Sequence, residues 1–90
     1  MFVITAYEGQ GIRVGDKELT VGVLKSPGLV ELFVSGEPSF VLVSSDRLVE
    51  IFPSVFVSME RNKQMSNKVK LLFNAPREVL IREHIYEPPP

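Results

Sequence analysis

Val69-Lys70-Leu71-Leu72-Phe73-Asn74-Ala75-Pro76-Arg77-Glu78-Val79-Leu80-Ile81 is the segment that decides the fold class. Its aliphatic and aromatic side chains repeat at two rather than at three and four, the period of a strand with one buried face. Small residues and Pro76 then interrupt the run before a second apolar stretch begins. Pro76 cannot donate to a sheet ladder, so the segment reads as two strands joined at a corner. A near copy lies upstream, Val30-Glu31-Leu32-Phe33-Val34-Ser35-Gly36-Glu37-Pro38-Ser39-Phe40-Val41-Leu42-Val43. One residue of gap before the proline brings the two into register.

Working outward, the same period appears nearly everywhere. Phe2, Ile4 and Ala6 alternate with Val3, Thr5 and Tyr7, and Leu19, Val21 and Val23 alternate with Thr20, Gly22 and Leu24. Ile12-Arg13-Val14, Leu29 to Ser35, Phe40 to Ser44, Ser54 to Glu60, Lys68 to Phe73 and Glu78 to Arg82 complete the expected strands. Gly9-Gln10-Gly11 reads as a hairpin turn, since no helix or Lys-Ser pair follows to make it a phosphate loop. Ser26-Pro27-Gly28 reads as a tight reversal, with glycine free to take φ > 0. Only Ser45 to Phe52 has the length for a helical turn, closed by Pro53. The expected fold is therefore all-β, a small antiparallel sandwich or barrel of short strands.

Composition sets the outer limits. Ninety residues with 44% hydrophobic content make one packed domain, or two very small units sharing a core. Cysteine is absent, which removes disulfides, thiolate metal sites and cysteine nucleophiles. The start Met1-Phe2-Val3-Ile4-Thr5 lacks the basic residues of a secretory signal, and no apolar run is long enough for a spanning helix. A cytoplasmic, non-membrane protein is the simplest expectation. His84 is the one histidine, with no companions at ligand or catalytic spacing, so neither a metal, a cofactor nor an enzymatic activity is expected. Residues 1–53 carry four basic and seven acidic side chains, and residues 54–90 six and four. The positive half, with Arg61, Lys63, Lys68, Lys70, Arg77 and Arg82, suits an anionic partner.

The segment Asn74-Ala75-Pro76-Arg77-Glu78-Val79, followed by Arg82-Glu83-His84-Ile85-Tyr86, resembles the proline corner and last strand of the carbon storage regulator (CsrA/RsmA) family. Met1 through Gly15-Asp16, continuing to Leu19-Thr20-Val21, Val30-Glu31-Leu32 and Pro38, resembles that family's opening strands. On this resemblance residues 1–51 form one family-like unit, residues 54–86 a partial second, and residues 87–90 a tail. The resemblance implies a CsrA-like sheet assembly, either a homodimer or a pseudo-dimer within one chain. It also implies an RNA-binding translation regulator that holds single-stranded GGA-type loops of mRNA or small regulatory RNA. The first strand of one unit would meet the last strand of the other, either Phe40–Ser44 or Glu78–Arg82. The candidate RNA-binding residues are Arg82, Arg77, Lys70, Thr5 and Tyr7, with Lys70 taken from its outward strand position and Tyr7 as a stacking ring in place of the family's basic residue.

Three departures count against an intact site, the first being that the family's last-strand arginine matches Ser45 in the first unit. The family's basic pair after the first-strand Thr or Ser is replaced by Ala6 and Tyr7. Arg82 lies one residue nearer the proline than the family spacing, which would change its face unless a bulge intervenes. The alternative is a CsrA-like protein-interaction module that has lost RNA binding, with Phe33, Leu42 and Leu72 as a contact face.

Overall fold

The computed structural model describes residues 2–84, which form nine strands and no helix. In chain order these are β1 (Phe2–Tyr7), β2 (Gly11–Val14), β3 (Lys17–Ser26), β4 (Leu29–Val34), β5 (Phe40–Ser44), β6 (Val49–Phe52), β7 (Val55–Met59), β8 (Lys68–Asn74) and β9 (Ile81–His84). Two antiparallel sheets result, one ordered β1-β8-β7-β6 and the other β5-β4-β3-β2-β9. Period-two burial builds one core between them. Ile4 and Ala6 of β1, Val57 of β7, and Val69, Leu71 and Phe73 of β8 point in from the first sheet. Ile12, Leu19, Val21, Val30, Leu32 and Val43 meet them from the second. The small all-β sandwich expected from the alternation is the fold, and among the described residues no helix is long and apolar enough to cross a membrane.

The connections repeat. β1 belongs to the four-stranded sheet and its three followers, β2, β3 and β4, to the five-stranded one; β5 belongs to the five-stranded sheet and β6, β7 and β8 to the four-stranded one. Thus β1–β4 and β5–β8 trace the same path with the sheets exchanged. Registers agree as well: Ile4 and Ala6 face Leu71 and Val69, while Val41 and Val43 face Leu32 and Val30. Two-residue turns close β2–β3 at Val14/Lys17 and β6–β7 at Phe52/Val55. Strand β9 stands outside the repeat. The division expected near residues 51–54 falls inside the β6–β7 hairpin, whereas the path repeats from β5 onward.

Several sequence expectations are corrected. Gly9-Gln10-Gly11 is not a hairpin turn but a corner between sheets, because β1 pairs with β8 and β2 with β3 and β9. The Gln10 N–H donates to the Tyr7 carbonyl at 3.0 Å, and Gly9 supplies φ of 88° in that turn. Ser45 to Phe52 contains strand β6 rather than a helical turn, since Val49, Glu50 and Phe52 find ladder partners on β7. The last strand starts at Ile81, not Glu78. A turn in which the Val79 N–H donates to the Pro76 carbonyl at 3.1 Å occupies the intervening residues.

Gly28 keeps an ordinary φ, and a Cβ there would lie 2.6 Å from Ser45 Oγ, a hydroxyl that would have to turn aside. In β3 a bulge between Val21 and Leu24 reverses the faces. Leu24 is buried and Val23 is 55% exposed, against the simple alternation. Ile85, Tyr86 and residues 87–90 lie outside the described residues.

Candidate nucleic-acid interface

Strand β1 is the edge of its sheet and pairs with β8 through Thr5/Lys70 and Tyr7/Lys68. The core claims Ile4 and Ala6, so alternation turns Val3, Thr5 and Tyr7 outward. On β8 the same rule buries Val69 and Leu71 and turns Lys68, Lys70 and Leu72 outward. Thr5, Tyr7, Lys68 and Lys70 therefore share one open sheet face. The Lys68 ammonium sits 5.4 Å from the centre of the Tyr7 ring, a cation–π distance, and the ring stays 48% exposed. Thr5, Lys68 and Lys70 line a shallow depression with Glu60, Arg61 and Asn62 from the β7–β8 loop. Glu60 accepts an ion pair from Lys70 at 3.4 Å. Both partners are half-exposed, so the pair is weak and easily exchanged for another anion.

The loop that carries Arg61 is held in shape locally. Asn62 Nδ2 donates to the carbonyls of Ser66 at 2.9 Å and Lys68 at 2.8 Å. Its backbone N–H donates to the Pro27 carbonyl at 2.6 Å, pinning the loop to the β3–β4 turn.

Arg77 and Arg82 occupy a different place. Arg82 lies directly opposite Arg13 across the β9–β2 ladder, exposed on the outer face of the five-stranded sheet. Ile81 next to it points into the core. Two arginines facing each other repel unless an anion lies between them. Arg13, Arg82 and Glu78 line one shallow depression. Arg77, in the proline corner, lines a second hollow with Arg82, Phe2, Phe73 and Pro76.

The five sequence-expected residues thus fall into two groups, Thr5, Tyr7 and Lys70 on one sheet, and Arg77 and Arg82 at the other's edge. Strand β1 joins them. Phe2 borders the arginine hollow, and Tyr7, about 17 Å along the strand at its usual rise, borders the lysines. The expected pairing of the first strand with Phe40–Ser44 or Glu78–Arg82 does not occur. β1 hydrogen-bonds to β8, because the longer alternation of Lys68–Asn74 matches all six of its residues; it meets β9 by packing alone. The sequence marks Lys68 only as one of a run of basic residues and does not single out Arg13 at all. The ladder partners that make them anchors, Arg82 and Tyr7, are far away in the chain.

The proposed contact face of Phe33, Leu42 and Leu72 is not one surface. Phe33 and Leu42 lie outward on the five-stranded sheet, with Phe40 packed edge-on against Phe33 at 5.9 Å. Leu72 lies outward on the other sheet, opposite Val3. Among the described residues no group of three or more His, Asp or Glu side chains converges to hold a metal ion. Compared with known protein families, curated proteins and solved structures, the chain matches none.

Proposed function

We propose that this protein binds single-stranded RNA, with GGA-type loops as the preferred ligand, and acts as a post-transcriptional regulator of the carbon storage regulator kind. The observation that carries the reading is the exposed Tyr7 ring under Lys68, beside Lys70, Thr5 and Arg61, on an open sheet face. A half-exposed aromatic offers a base a stacking platform, and the flanking cations suit the adjoining phosphates. Such sites favour unpaired loops, whose bases are free to stack. Arg77 and Arg82, at the far end of β1, extend the contact toward the rest of the loop. Two units in one chain, sharing a core and exchanging sheets, support a pseudo-dimer, divided before β5 rather than at residues 51–54.

A gel-shift titration of a GGA-loop hairpin at two salt concentrations tests the proposal. Wild type should bind weakly and lose affinity as salt rises. Lys68→Ala and Lys70→Ala together should flatten the log–log salt dependence by roughly 0.7 per lost phosphate contact, the single-strand value. Tyr7→Ala should weaken binding by about 1–3 kcal/mol with little change in salt slope. Arg82→Ala should weaken it further. Equal affinity of the double lysine variant and wild type would remove this face from the function. Absence of any salt-sensitive binding would leave the protein-interaction reading, for which the outward Phe33, Phe40 and Leu42 cluster speaks.

A further inference from the structure

The repeat of β1–β4 in β5–β8 is complete except at one place. Beside β2, and packed against β1, lies β9, antiparallel, with Ile81 opposite Val14 and Arg82 opposite Arg13. The corresponding place is the outer edge of β6, and among the described residues no strand pairs there. The chain between β4 and β5 is a short turn, Ser35 to Ser39, and supplies nothing to fill it.

Burial registers the difference. Ile4, Ile12 and Val14, in the half where β9 is present, are 3%, 0% and 2% exposed. Their counterparts are Val41, Val49 and Phe52, matched by ladder register, and all three are only half-buried, as is Ile51 in the β6 bulge. Three core-facing side chains thus lack the cover that their counterparts have.

We infer that the outer edge of β6 is a docking site for an extended segment of a partner protein, which adds antiparallel as a fifth strand to the four-stranded sheet. β9 shows the form such a segment takes: an aliphatic residue facing the core at the place of Ile81, and next to it an outward side chain at the place of Arg82. On β6 that outward position faces Glu50, the counterpart of Arg13 by ladder register. The partner segment therefore carries an aliphatic residue followed by Lys or Arg. A second copy of this chain fits less well. Pairing β6 with its own copy about Glu50 sets two carboxylates opposite each other, and lending β9 strips the donor's own β2. The bulge at Ile51 and the short length of β6 limit unselective edge pairing while leaving a matching segment room.

The test uses the full chain and a synthetic peptide of residues 78–84, the one segment known to lie in the equivalent place. Amide hydrogen exchange is followed with and without peptide, and affinity is read by fluorescence anisotropy. Peptide should slow exchange at residues 49–52. Reversing the peptide charge (Arg82→Glu) should weaken binding about fivefold, and Glu50→Lys in the protein should restore it. Because the charge is reversed first in the peptide, that loss cannot come from a misfolded protein, and exchange rates in β3 and β4 check the fold of the Glu50→Lys variant. Three results overturn the inference: no peptide-dependent slowing at residues 49–52; slowing confined to residues 11–14, where the peptide displaces the chain's own strand; or protection of residues 49–52 by self-association alone.

Discussion

Gly22 is the glycine whose neighbours can least give way. A Cβ built on it would lie 2.8 Å from a Phe33 ring carbon, 2.9 Å from Glu31 Cβ and 3.1 Å from the Glu31 carbonyl oxygen. The ring can swing into solvent, but the Glu31 atoms belong to the neighbouring strand and cannot. Glu31 is itself constrained, 8% exposed and paired with Lys25 at 3.1 Å. Gly22→Ala should therefore destabilise the protein by about 1–3 kcal/mol, the range for overpacking, read as a lower denaturation midpoint with unchanged slope. Gly9 and Gly36 are needed for another reason. Nothing lies near a Cβ at either, but their φ values of 88° and 86° suit turns that L-residues resist.

Strand β1 is where local pattern and function meet. Its alternation commits Ala6 to the core, fully buried opposite Val69, and leaves Tyr7 outside opposite Lys68. Only one of the two positions that carry basic residues in the resembling family can therefore accept charge here. Tyr7→Arg should fold normally and steepen the salt dependence of RNA binding by roughly 0.7 on the log–log plot. Ala6→Arg should lose cooperative thermal unfolding, because an unpaired guanidinium in the core costs several kcal/mol out of the 5–15 that a domain of this kind has. Circular dichroism melts and the gel-shift titration distinguish the two. A folded Ala6→Arg protein would mean that β1 is not held as described.

Across the whole molecule, each half relies on the other for part of its sheet and core. β1 leaves β2–β4 to complete the opposite sheet, and β9 leaves β7–β8 to cover β2. Buried side chains from both halves form a single cluster, and the radius of gyration, 12.3 Å, matches the roughly 12 Å of one 90-residue body. Fragments 1–38 and 39–90 prepared separately should each lack a cooperative melt and a dispersed amide spectrum, and should regain both when mixed. A fragment that folds by itself would show that the halves are independent units.

The sequence by itself determined most of the strands and their inward faces, though it read β6 as a helical turn and began the last strand at Glu78. Alternation at Val69–Phe73, Phe2–Ala6 and Val30–Val34, with turn residues at Gly15-Asp16 and Pro27-Gly28, is a local record of which side chains must leave water. It also displayed Arg82, Arg77, Lys70, Thr5 and Tyr7 as outward or corner groups. It missed the bulge that turns Val23 out, and took Gly9–Gly11 for a hairpin, because neither depends on the residues at that spot alone. Only the tertiary structure decided that β1 joins β8 and β9 joins β2, which separates the candidate residues into two groups and brings Lys68 to Tyr7 and Arg13 to Arg82. The reason is physical: side-chain direction follows from a strand's own two-residue period, whereas the choice of neighbouring strand depends on which distant edges share one core, and similar Val- and Leu-rich runs compete equally well until that core is assembled.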